Sequence, residues 1–236
     1  MKLSHSSIAS LLLVSSLLAG CANKPLDPRL VPCRDALNLY DRNENVNTLA
    51  MGRQLYDLAG QCVAQNPPSP KVLRTMYLIQ ADAASERMHD YAKAITAMES
   101  AIRLNNGTNP RDTLTLSRYY RLNGQREKAL ELVQGNIDNG LGETGKGTGF
   151  HMPTYYHLGQ ALYDLGRYRE AAEAFSAGLR QQKDYAWAYW ERGRAYDSLQ
   201  QTDDARRDFQ RFAQLVNKDY IGPEQRSKLA QYQIPL

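Results

Sequence analysis

Two stretches of this chain repeat in one register, without a gap, 34 residues apart. One begins at Thr154 as TYYHLGQALYDLGRYREAAEAFSAGLRQQKDY, and the other at Ala188 as AYWERGRAYDSLQQTDDARRDFQRFAQLVNKDY. Gly159 recurs as Gly193, Ala171 as Ala205 and Phe175 as Phe209. Small residues at such positions let two helices cross closely, and the aromatic fills the space between neighbouring pairs of helices. A unit of this length cannot bury its apolar face alone, so it must stack on copies of itself. The pattern therefore constrains the chain to an array of helix hairpins, with clearest repeats over 152–185 and 186–219.

The period and its glycine, alanine and aromatic positions resemble the tetratricopeptide repeat (TPR). That resemblance implies an all-α fold, a right-handed α-solenoid of TPR helix hairpins with a C-terminal capping helix. Looser copies extend it upstream. RYYRLNGQREKALELV places Gly124 where Gly166 sits and Ala129 where Ala171 sits. HDYAKAITAMESAIRLN places Tyr91, Ala94 and Met98 like Tyr168, Ala171 and Phe175. CRDALNLYDRN and NTLAMGRQLYDLAGQCVAQNPP form a degenerate hairpin, so the solenoid is expected over 33–220. Gly222-Pro223 stops one helix and starts another, and 221–236 reads as a cap carrying Leu229 and Tyr232.

One stretch breaks the period. Ala129 and Ala171 are 42 residues apart, and the surplus is GNIDNGLGETGKGTGF at 135–150. It holds a formal GxGxxG at Gly140, Gly142 and Gly145, with Lys146 beside it. A dinucleotide site needs a strand before the glycines and a helix after them. Here a helical segment precedes them, and Gly147 occupies the place where a phosphate loop needs Ser or Thr. The stretch reads as a flexible insertion that serves as a contact loop or adjusts the superhelix.

The chain starts with one charge, Lys2, then an apolar run over 8–20 and Cys21. The run is too short to span a bilayer and has the make-up of a secretory signal. Leu18-Ala19-Gly20-Cys21 resembles a bacterial lipobox. The resemblance implies a signal peptide over 1–20, cleavage before Cys21 and acylation of that residue. Ala22 rather than Asp after the cysteine points to an outer-membrane anchor facing the periplasm. Residues 21–32, with three prolines, read as an extended tether. Export also bears on Cys33 and Cys62, an even pair in an oxidising compartment. In a helix hairpin the start of the first helix lies beside the end of the second, so a disulfide is favoured. A metal or catalytic thiol pair would lack a third ligand or a base.

Little else in the chain suggests chemistry. His151 and His157 have no acidic partner at metal-ligand spacing, His89 stands where a hairpin turn usually has glycine, and no HExxH or GxSxG occurs. Asp203, Asp204 and Asp208 run among arginines, the pattern of a solvated helical face. Asn106-Gly107-Thr108 reads as an inter-repeat turn. Lys and Arg outnumber Asp and Glu by 29 to 25, too slight and too dispersed a surplus for nucleic acid. No enzyme activity, metal or cofactor is expected.

In TPR proteins the first helix of each hairpin lines a concave groove. The resemblance carries that role to Tyr156, Gln160 and Tyr163, then Trp187, Trp190, Arg194 and Asp197, and in looser register to Arg118 and Arg121. Aromatic and arginine side chains dominate binding hot spots. Tyr155, Tyr189, Tyr168, Phe175 and Phe209 are assigned to packing, and Trp190→Ala is expected to spare the helical melt. The expected function is a non-catalytic scaffold lipoprotein that binds envelope proteins or their peptide segments. The segment 191–209 is similar to adaptor lipoproteins for peptidoglycan hydrolases. The alternative is a pilotin for a pilus or secretion-system secretin, and an envelope enzyme is the remotest reading. The oligomeric state stays open, since Leu229 and Tyr232 suit a cap or an interface.

Overall fold

A computed structural model describes residues 27–42, 47–106, 109–140 and 151–236. The signal segment, Cys21, the start of the tether and residues 141–150 of the insertion lie outside the described residues. The described fold is all helical. None of these helices is long and apolar enough to cross a membrane. The chain divides into two compact units, Met1–Asp112 and Thr113–Leu236.

In the first unit, α1 (Val31–Arg42) and α2 (Leu49–Ala64) form one hairpin, and α3 (Pro70–Asp82) and α4 (Tyr91–Arg103) a second. Their starts follow local chemistry. Thr48 Oγ1 accepts the Met51 amide at 3.3 Å, Ser69 Oγ accepts the Val72 amide at 3.4 Å with Pro70 opening α3, and Asp90 accepts the Lys93 amide at 3.1 Å. The tether ends earlier than its prolines suggest. Pro28–Leu30 is a 3₁₀ turn capped by Asp27, and Pro32 sits in the first turn of α1. Proline suits these places because the first helical amides have no partner within the helix. The core gathers Leu37, Leu55, Ala59, Met76 and Ile79 around a Cys33–Cys62 disulfide with 4.8 Å between Cα atoms. The crosslink joins the start of α1 to the end of α2, and its 29-residue separation stabilises by roughly 3–4 kcal/mol through loss of unfolded-chain entropy. After α3, a wide turn over Ala83–Arg87 buries an Asp82–Arg87 ion pair.

The second unit contains most of α5 (Pro110–Leu122), then α6 (Arg126–Asp138), α7 (His151–Asp164), α8 (Tyr168–Gln181), α9 (Ala186–Ser198), α10 (Thr202–Leu215) and α11 (Pro223–Gln231). They pair as α5–α6, α7–α8 and α9–α10, with α11 last. Gly159 lies so close to Phe175 that an added Cβ would meet its ring at 2.6 Å, and Gly193 meets Phe209 at 2.8 Å in the same way. Those glycines set how near the two helices of each hairpin come. Each hairpin turns on one residue in the left-handed region, Gly124 at φ 77°, Gly166 at 75° and Gln200 at 61°. The α5–α6 pair is joined differently, by reciprocal hydrogen bonds between Thr113 and Asn136 at 2.7 and 2.9 Å. Ser117 Oγ also donates to the Ala129 carbonyl at 3.0 Å. Gly135–Asp138, read from sequence as the start of a flexible insertion, belongs to α6 because Asn136 is buried in that network. At the far end Leu229 of α11 and Tyr232, which caps that helix, pack in one core with Phe209, the ring centroids of Tyr232 and Phe209 lying 5.0 Å apart.

Candidate functional site

The first helices of the second unit, α5, α7, α9 and α11, present a row of linked polar side chains. Arg121 on α5 donates through Nε to Asp164 Oδ2 at 2.7 Å and through a terminal nitrogen to Gln160 Oε1 at 2.6 Å. Gln160 Nε2 passes the row on to Glu191 Oε1 at 3.2 Å, and Glu191 Oε2 accepts from Arg194 at 2.8 Å. The Arg194 guanidinium also lies over the Tyr163 ring, 4.6 Å from its centroid. The Tyr163 hydroxyl is 3.2 Å from Ser198 Oγ. Finally Asp197 accepts from Lys228 Nζ on α11 at 2.9 Å and from the hydroxyl of Tyr232, which caps the end of α11. The register explains the spacing, since Gln160 and Arg194 follow Gly159 and Gly193 on the same helix face one turn from Tyr163 and Asp197.

Electrostatics follow from this arrangement. Burial works against the Asp197 charge, but hydrogen bonds from Tyr232 and Lys228 outweigh it and lower the carboxyl pKa. Burial, reinforced by that carboxylate, pushes Tyr232 up to about 12. His157, behind the row on α7, is held down to about 3 by desolvation and by the charges of Arg121 and Arg118. Its Nδ1 is buried with no hydrogen-bond partner.

Several expected groove residues sit elsewhere. Trp190 is 2% exposed and packs on Phe209 and Phe212, each 5.1 Å between centroids. It is a core residue, so the expectation that Trp190→Ala spares the melt is corrected. Tyr156, at the same register position one repeat earlier, is also buried, with Tyr185 at 5.4 Å and Phe175 at 5.9 Å. Tyr155 and Tyr189, assigned from sequence to the core, are half-buried instead. The error is one residue of register. Tyr156 and Trp190 pack on Phe175 and Phe209, the same rings that Gly159 and Gly193 admit three residues further on. Trp187 is half-buried against Phe212 at 5.2 Å. Gln160, Tyr163, Arg194, Asp197 and Arg121 are brought together in the row, and Arg118 lies half-buried on α5, where its charge reaches His157.

Sequence reading missed Glu191, Asp164 and Lys228. Glu191 stands three residues before Arg194, a spacing that signals a helical ion pair. Lys228 had no such signal, because only the docking of α11 brings it to Asp197. The row offers guanidinium, amide, hydroxyl and carboxylate groups in alternation, a surface suited to polar recognition. Among the described residues no group of three His, Cys, Asp or Glu side chains could hold a metal ion.

Residues 156–220 match the family model described as tetratricopeptide repeat, and residues 87–178 match that of anaphase-promoting complex, cyclosome, subunit 3. Neither description names a catalytic family. No curated protein matches the sequence. Among solved structures, the chain is similar to MamA, with a TM-score of 0.58 and 16% identity over 87% of this chain and 97% of that one. It is similar to YrrB, described as a TPR protein with an unusual peptide-binding site, at a TM-score of 0.58 and 15% identity over 86% and 91%. A MamA segment from Desulfovibrio magneticus RS-1 gives 0.55 and 14% over 78% and 93%. Repeat signature, helix pairing and these likenesses agree: the protein has the all-α fold of tetratricopeptide-repeat proteins.

Proposed function

We propose that this protein is a non-catalytic scaffold that binds peptide segments of other proteins along the α5–α7–α9–α11 row. The single observation that carries this reading is the row itself. Arg121, Gln160, Tyr163, Glu191 and Arg194 hold one another in fixed orientations, and Lys228 and Tyr232 fix Asp197, so a bound segment meets preorganised donors and acceptors. The peptide-binding description of YrrB supports the same use of a TPR fold. The partners we propose are envelope proteins, reached from a lipid anchor at Cys21 in the outer membrane. The lipobox-like Leu18–Cys21 and the Cys33–Cys62 disulfide, which suits an oxidising compartment, support that placement.

Two experiments test the reading. Crosslinked capture from native membranes with tagged full-length protein should recover a defined partner. The variant Tyr163→Ala/Arg194→Gln, which leaves a donor for Glu191, should lose that partner while its helical melt stays close to wild type. Equal capture by the two proteins would remove the row from the account. Metabolic labelling with a fatty-acid analogue should mark wild type and not Cys21→Ala, and labelling of neither would remove the anchor.

A further inference from the structure

The second unit has another face, built from its second helices, and there the repeats differ. Between α6 and α8 lies a groove of about 820 Å³ whose floor is Leu130, Leu158, Leu162 and Leu165. Its rim carries Glu127, Glu131, Glu170 and Glu173, all exposed. Among the described residues Arg167 is the one basic residue lining it, and it is bound to Glu170 with 2.7 Å from Nε to Oε1. One repeat later a groove of about 540 Å³ lies along α8 and the end of α9, lined by Arg169, Glu173, Arg180, Tyr196 and Leu199. On α9, Arg192 stands at the register position of Leu158. It bridges Asp208 at 2.7 and 2.8 Å and Ser176 at 2.9 Å, and lies over the Tyr189 and Tyr196 rings. The later repeat thus sets a neutralised arginine where the earlier one has Leu158, and among the described residues Leu130, Leu158 and Leu165 stay half-buried beneath a rim of carboxylates. The chain as a whole has a net charge of +4, so this local excess of negative charge runs against the average.

We infer that the α6/α8 groove is a second docking site, and that its occupant is an amphipathic peptide segment with leucine-like side chains on one face flanked by Lys or Arg. Apolar side chains would cover Leu130, Leu158 and Leu165, and cationic ones would meet Glu127, Glu131 and Glu173. In effect the partner supplies what Arg192 supplies within the chain one repeat later. The site is separate from the polar row of the first helices, so it adds a second, oppositely specified surface.

The probe is a short Leu/Lys amphipathic helix peptide carrying a photocrosslinker, with a Leu/Glu peptide of the same pattern as its control, added to the full-length protein. The Leu/Lys peptide should bind and crosslink to α6, to α8 or to the floor at Leu158 and Leu165, and the Leu/Glu peptide should not. The exposed rim variant Glu131→Lys/Glu173→Lys, which leaves the core untouched, should weaken binding roughly tenfold or more and steepen no salt dependence. Leu158→Arg should abolish the crosslinks by setting a cation into the apolar floor, and Tyr163→Ala/Arg194→Gln should leave them unchanged. Crosslinks that map to α9 or to the row residues Gln160 and Tyr163 of α7, crosslinks only to residues 141–150, equal binding of the Leu/Glu peptide, or binding indifferent to the rim variant would each overturn the assignment.

Discussion

The hairpins α7–α8 and α9–α10 are built from the same 34-residue register and differ in how they use it. Both place glycine against phenylalanine, Gly159 with Phe175 and Gly193 with Phe209, and both bury an alanine on the second helix. Around that shared contact the side chains diverge. Where the first hairpin has Leu158, Gln160 and Tyr163, the second has Arg192, Arg194 and Asp197. The lesson is that the repeat fixes helix crossing through a few small and aromatic residues and leaves the outward positions free to define surfaces.

The largest expected effects test whether the inward aromatics are core. Trp190→Ala should destabilise by about 3–5 kcal/mol in urea unfolding, whereas half-buried Trp187→Ala should cost roughly half as much. Equal and small losses would return Trp190 to the surface and break the comparison. Next comes the ion pair that distinguishes the hairpins. Burial raises the Asp208 carboxyl pKa despite its bonds from Arg192, so Arg192→Leu strands a buried carboxylate. That variant should lose about 3 kcal/mol, and Arg192→Leu/Asp208→Leu should recover most of it.

A third prediction is a pH effect confined to the first hairpin. His157 is kept neutral when folded, held to about 3, and regains its ordinary pKa of 6.5 when unfolded. The unfolded chain then binds more protons between those values, so the contribution is full above the unfolded pKa and falls with acidification. Between pH 7 and pH 5 wild type should lose about 2 kcal/mol that His157→Gln does not lose. A parallel pH profile for the two proteins would contradict the burial of this imidazole. The smallest effects lie in the turns. Gly166→Ala should cost about 1 kcal/mol, and Gln200→Gly at the same left-handed position should gain up to about 1 kcal/mol in thermal unfolding.

Much of the fold was legible because it rests on repetition. Gly159/Gly193, Ala171/Ala205 and Phe175/Phe209 announce themselves by recurring, and Gly222-Pro223 marks the junction before α11 by ordinary helix punctuation. The site was legible only as a face. Gln160, Arg194 and Asp197 follow from the register, but the inward turn of Tyr156 and Trp190 depends on how far each neighbouring ring penetrates, which a one-dimensional pattern does not encode. Asp197 reads as a free acid in sequence, and only the tertiary approach of Lys228 and Tyr232 shows it tied to α11. Likewise Leu158 and Arg192 look like interchangeable helix residues until one is seen as a groove floor and the other as a bridge between Ser176 and Asp208.

The measurement that tests the central claim most directly is site-specific photocrosslinking in living cells. A photoreactive residue placed at position 163, at position 173 or at exposed Gln210 on α10 reports what touches each surface. A defined partner that crosslinks from 163 and not from 210 is the predicted result, with any adduct from 173 belonging to the second groove. Adducts from 163 that match those from 210 would contradict the claim that the first helices form the binding face.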